Sequence, residues 1–114
     1  MELLELLKTL TSPENKFVKE WKRRNKPVLG YACSYTPEEI IYAGGILPVR
    51  VLGSLEPSKL ADVHLPVNVC SFAKSCFNRA LKGEYSLLDG YVASNSCDNQ
   101  NKIYDFWRHR TAIH

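Results

Sequence analysis

Between Thr36 and Leu52 the chain carries a helix start, a helix stop and an apolar run in immediate succession. Thr36 is an N-cap residue, Pro37 suits the first helical position, and Glu39 follows the cap at the spacing that closes a capping box. Ile40, Ile41 and Ala43 continue the helix, and Gly44-Gly45 ends it. Ile46 to Leu52 then reads as a buried strand, despite Pro48 near its start. Helix and strand alternating in this way belong to an α/β domain with a largely parallel sheet.

The flanking segments fit that frame. Leu3, Leu6, Leu7 and Leu10 recur at helical spacing and predict an amphipathic helix that needs a surface to cover. Ser12 is expected to cap a second helix, with Pro13 at its first position and Phe17, Val18 and Trp21 on its apolar side. Lys22, Arg23, Arg24 and Lys26 complement the dipole at its end, a simpler reading than a phosphate contact. Pro27 stops it, and Val28 to Tyr31 is a short extended run. After a connection with one helical turn around residues 58–63, Asn68 introduces a helix carrying Val69, Phe72, Ala73, Cys76 and Ala80, which Gly83 terminates. Tyr85 to Ala93 reads as a strand interrupted at Asp89-Gly90. Asp98 then caps a last helix marked by Ile103, Tyr104 and Trp107. The expected organisation is a helical segment over 1–27 and a partial α/β domain of Rossmann or flavodoxin-like type over 28–114, its small sheet flanked by helices. A fold of this type normally adds another strand after such a helix, so an open sheet edge requiring a partner is expected.

A chain of 114 residues with 45% hydrophobic content supports one domain of ordinary size. The formal charge of +3 does not mark a nucleic-acid binder. No run approaches the roughly 18 to 20 apolar residues of a membrane span, and Glu2 and Glu5 stand where a signal peptide carries positive charge. A cytoplasmic protein is expected, with no nucleic-acid or membrane partner. In that reducing compartment the four cysteines read as metal, redox or core residues rather than disulfides.

Cys33, Cys70 and Cys97 each stand just ahead of a predicted helix start. A thiol there meets unpaired backbone N–H groups and the positive end of a helix dipole, the environment of a metal ligand. Cys76 instead shares the apolar stripe of its helix and reads as core. Ligands of parallel sheets collect beyond the carboxyl ends of the strands, where the loops holding Cys33 and Cys97 are expected to emerge and share one site. No pair forms the C-x-x-C knuckle of a zinc ribbon, so spacing alone selects no particular metal, and structural or redox thiols remain the alternative.

The wording around these cysteines is more specific than their spacing. The stretches GYACSYTPEEIIYAGGILPVR and LPVNVCSFAKSCFNRALKGEYSLLDGYVASNSCDNQNKIYDFWR resemble the N-terminal part of the 2-hydroxyacyl-CoA dehydratase and benzoyl-CoA reductase subunit family. Three blocks match in order: Cys33 with Pro37-Glu38-Glu39, Cys70-Ser71-Phe72, and Asn95-Ser96-Cys97-Asp98. The resemblance runs from about Gly30 to Arg110. It implies a [4Fe-4S] cluster held by three cysteines, with one iron open to solvent or to the thioester oxygen of an acyl-CoA substrate. It also implies an ATP-dependent activator protein that injects an electron for ketyl-radical dehydration or reduction.

On this chain Cys70 and Cys97 match the family ligands, and the remaining ligand is expected from a second subunit or a completing C-terminal chain. Cys33 is then a nearby sulfur that protects or tunes the cluster, or a substitute ligand. Ser34 is the candidate catalytic residue, its hydroxyl facing the open iron or a substrate carbonyl, unless it simply bonds the following helix start. Glu38 and Glu39 read as capping and dipole groups. The motifs do not separate a dehydratase from a double-cubane reductase. A noncatalytic fold remnant or interaction module with buried cysteines is the alternative from a different class.

Overall fold

The computed structural model describes residues 1–111. Among the described residues six helices accompany a three-stranded sheet. In chain order these are α1 (Glu2–Leu10), α2 (Lys16–Arg23), β1 (Val28–Tyr31), α3 (Glu38–Ala43), β2 (Leu47–Arg50), α4 (Lys59–Asp62), α5 (Ser71–Leu81), β3 (Gly90–Val92) and α6 (Asp98–Arg110). The sheet order is β2-β1-β3, with both pairings parallel, as the alternating pattern predicts. Its register sets Tyr31 beside Arg50 on one side and beside Val92 on the other.

The core lies between the sheet and the pair α5 and α6. Phe77, Ile103 and Trp107 are almost wholly buried, and Tyr91 of β3 stacks on Trp107 with ring centroids 4.4 Å apart. Truncating one of these large aromatics typically costs about 3–5 kcal/mol, so this layer holds α6 against the sheet. Gly30 lets Leu88 and Val51 close over the central strand: a Cβ there would stand 2.5 Å from Leu88 Cδ1 and 3.3 Å from Val51 Cγ2, so the Leu88 side chain would have to shift. Cys76 is 2% exposed within this core, as its stripe predicts. By contrast α1 buries none of its residues, and its leucines face solvent.

Several local expectations give way to tertiary contacts. The N-cap of α2 is Asn15, whose side chain accepts from the N–H groups of Phe17 and Val18 at 3.0 and 3.1 Å. The Ser12 hydroxyl instead receives the Glu14 N–H at 3.3 Å, in the turn before the helix. The capping box at Thr36 does not form. Thr36 is buried with its hydroxyl unpaired, Pro37 takes the cap position, and the Glu38 carboxylate accepts instead from the Tyr31 hydroxyl.

The strand at 46–52 is shorter than expected and lies at the sheet edge, where Leu47, Pro48 and Val49 are half-buried. An edge tolerates Pro48, which has no N–H to give to a neighbouring strand. Val51, just past the strand, carries the burial instead. Only Gly90–Val92 of the 85–93 run is extended. The bonds from Ser86 N–H to the Gly83 carbonyl and from Leu88 N–H to the Tyr85 carbonyl curl the preceding residues into turns. Tyr85 points inward, receives the Leu52 N–H and donates to the Leu52 carbonyl, both at 2.9 Å.

Candidate functional site

The chain leaves β1 for β2 on one side and later returns to place β3 on the other. The loops after β1 and β3 therefore diverge at the carboxyl end of the sheet, and such a divergence opens a ligand crevice in parallel sheets. Of the three cysteines expected at helix starts only Cys70 and Cys97 stand at one, because α3 opens at Glu38 with Pro37 as its cap. Cys33 lies in the loop after β1, Cys97 ends the loop after β3, and Cys70 opens α5.

Cys70 and Cys97 are themselves the N-cap residues of α5 and α6. A helix introduced by Asn68 would hold Cys70 in its first turn; α5 instead begins at Ser71, so Cys70 is its cap, and Cys97 displaces Asp98 from the cap of α6. Neither side chain bonds a backbone N–H of its own helix, so both exposed thiols keep their lone pairs for an outside partner. The two caps are linked, because the Cys70 N–H donates to Asn99 Oδ1 at 3.2 Å. Asn101 donates to Asn95 Oδ1 at 2.8 Å, which ties the loop before Cys97 to the helix after it.

Cys33 is half-buried against the other side of the same loop. The Ser94 hydroxyl, then that of Ser96 and the Tyr35 N–H, hold its thiol below the ordinary value. The Ser94 hydroxyl is buried and its geometry falls short of a hydrogen bond, so its effect on Cys33 is one of proximity. Burial pushes the Cys76 thiol up to about 12, consistent with a core residue and not a ligand.

Ser34 is exposed, and its oxygen receives a hydrogen bond from Arg50 Nη2 at 3.0 Å. That contact replaces the expected alternative, a bond to the start of α3. Glu39 remains exposed in the first turn of α3, whereas Glu38 belongs to the Tyr31 contact. Arg50, Asn99 and Tyr31 were not singled out by sequence reasoning. A charged residue closing an apolar strand was the one visible signal for Arg50.

Soft thiolate donors suit an iron–sulfur cluster, so the residue types fit such a group. Their number does not complete it: among the described residues no three or more His, Cys, Asp or Glu side chains form a group able to hold a metal ion. Two exposed cysteines thus stand at helix starts joined by one hydrogen bond, and Cys33 and the Arg50–Ser34 pair lie in and beside the loop after β1. Also among the described residues, no helix is long and apolar enough to cross a membrane.

The chain is thus an α/β protein with a parallel sheet and an exposed cysteine at the start of each of two helices. More particularly, the chain belongs to the family described as 2-hydroxyglutaryl-CoA dehydratase, D-component, whose model matches residues 33–114. It is 33% identical over 88 residues to the (R)-phenyllactyl-CoA dehydratase beta subunit of Clostridium sporogenes, covering 77% of this chain and 24% of that protein. It is 28% identical over 95 residues to the beta subunit of (R)-2-hydroxyglutaryl-CoA dehydratase from Acidaminococcus fermentans, covering 82% and 25%. A benzoyl-CoA reductase subunit of Thauera aromatica is 24% identical over 94 residues, covering 79% and 24%. The chain thus spans about a quarter of the length of these relatives.

Proposed function

We propose that this chain is the N-terminal cluster-binding part of a 2-hydroxyacyl-CoA dehydratase-like subunit, with Cys70 and Cys97 contributing two thiolates to a [4Fe-4S] cluster. The observation that carries this reading is the hydrogen bond joining the two cap segments, which brings two exposed, uncommitted thiols under common control. Residues 1–27 form the helical segment ahead of the cluster-binding part over 28–114. The remaining ligand comes from a second subunit or a completing chain, in keeping with relatives named as beta subunits. The exposed leucines of α1 agree with an element that acts in an assembly.

When bound, the cluster supplies low-potential one-electron chemistry, fed by an ATP-dependent activator in the cytoplasm. The chain's own residues bind and orient. The α5 and α6 starts hold the ligating sulfurs, Cys33 adds a further sulfur beside them, and the Ser34 hydroxyl offers a hydrogen bond to the carbonyl of an acyl-CoA. The benzoyl-CoA reductase among the relatives keeps reduction of an acyl-CoA open beside dehydration.

Anaerobic purification of the chain with its completing partner tests this. A brown protein containing iron and acid-labile sulfide is expected. Cys70→Ala or Cys97→Ala should lower iron retention far more than Cys76→Ala. Colourless, iron-free protein after anaerobic reconstitution overturns the reading, and equal retention in all three variants overturns the ligand assignment.

A further inference from the structure

We infer that Arg50 is a positioning residue: it occupies the Ser34 oxygen and so sets the Ser34 hydroxyl to donate to a carbonyl or oxyanion in the crevice. The inference rests on the acyl-CoA reading above and extends it to a residue outside the matched cysteine blocks.

A guanidinium has donors and no acceptor, so the 3.0 Å contact has one polarity. Ser34 accepts from Arg50, and its own proton must point elsewhere. Among the described residues no acceptor receives that proton, and Ser34 is exposed in the loop after β1. The contact is built into the sheet, because Arg50 ends β2 directly beside Tyr31 at the end of β1, and Ser34 follows three residues later.

The charge of Arg50 is also uncommitted. Among the described residues no carboxylate pairs with it, and the nearby Glu38 is engaged by the Tyr31 hydroxyl. A cation donating to a hydroxyl polarises it and strengthens the bond that hydroxyl gives onward. Aimed at an oxygen that gains negative charge, this pair works in the manner of an oxyanion donor. Lysine is a poorer substitute, since it lacks the planar fork that fixes direction.

The test uses the assembled protein and acetyl-CoA carrying ¹³C at its carbonyl, read by isotope-edited infrared spectroscopy and by binding. In the wild type the bound carbonyl stretch should lie below its frequency in water. Ser34→Ala and Arg50→Met should each return the band upward and weaken binding roughly tenfold, the size of one lost charge-assisted hydrogen bond. The double variant should lose no more than either single one, and Arg50→Lys should recover part of the shift. Thermal unfolding should leave all four variants folded, because both side chains are exposed.

If Arg50→Met leaves the band at its wild-type frequency while Ser34→Ala moves it, the role of Arg50 is overturned and the acyl-CoA site stands. Additive losses in the double variant also overturn it. A wild-type protein with no bound carbonyl band overturns the acyl-CoA reading, and the role of Arg50 falls with it.

Discussion

The backbone N–H of Cys70 donates to the side-chain oxygen of Asn99 at 3.2 Å, so the cap of α5 is held by the first turn of α6. These residues are far apart in sequence, yet one hydrogen bond joins two cysteine-bearing helix starts. Asn99→Ala should leave the core intact, costing about 1 kcal/mol for one partly exposed hydrogen bond. Iron retained after anaerobic reconstitution should nevertheless fall, because Cys70 and Cys97 are then positioned independently. Iron per chain and a urea melt, measured together, separate the two effects. Unchanged iron content would show that the link does not organise the site.

Cys76 should behave as a core residue. With its thiol pushed up to about 12 by burial, it should escape iodoacetamide in the folded protein at about pH 8 and react only on unfolding. Mass spectrometry of the alkylated peptides reads this directly. Cys76→Ser should cost about 1–3 kcal/mol, since a hydroxyl would replace sulfur in an apolar pocket.

Asp89 joins α2 to the sheet. Its carboxylate receives Lys22 Nζ at 2.9 and 3.0 Å and the Val28 N–H at 2.8 Å. Burial pulls the carboxyl up, but the Lys22 ammonium and the Val28 N–H outweigh it and hold it below the ordinary value of 3.8. A depressed folded-state value means that the contribution is complete above the unfolded-state value and is lost as pH falls through the folded-state one. Asp89→Asn should therefore destabilise the protein by about 1 kcal/mol near neutral pH, solvent screening included. The deficit should shrink below pH 3.8, on titration of urea midpoints for both proteins.

Tyr85 clamps the segment that follows β2. Its hydroxyl satisfies both the N–H and the carbonyl of Leu52 at 2.9 Å from within the core. Tyr85→Phe keeps the ring and leaves two backbone groups without that partner, so a loss of about 1–3 kcal/mol is expected in chemical denaturation. A variant as stable as wild type would show that water replaces the hydroxyl.

Much of the architecture was readable in the sequence. The amphipathic runs predict the main helices, and the alternation with β-branched runs predicts a parallel sheet. What failed were caps and strand limits. Thr36-Pro37-Glu38-Glu39 is a strong local box, yet Tyr31 captures Glu38 from a neighbouring strand and burial removes Thr36 from solvent. Asp98 is a good cap by type, but it falls inside the helix that Cys97 opens. The 85–93 run has strand composition, and the inward turn of Tyr85 to Leu52 shortens it to Gly90–Val92.

The sequence by itself determined the α/β class, the core role of Cys76 and the family motifs around Cys33, Cys70 and Cys97, because periodicity and short motifs are local properties of the chain. Only the tertiary structure decided that Cys70 and Cys97 are the cap residues themselves, that Asn99 links them, and that Arg50 meets Ser34. Parallel pairing brings together strand ends that lie well apart along the chain, and the partners across those ends carry no spacing from which a sequence reader can find them.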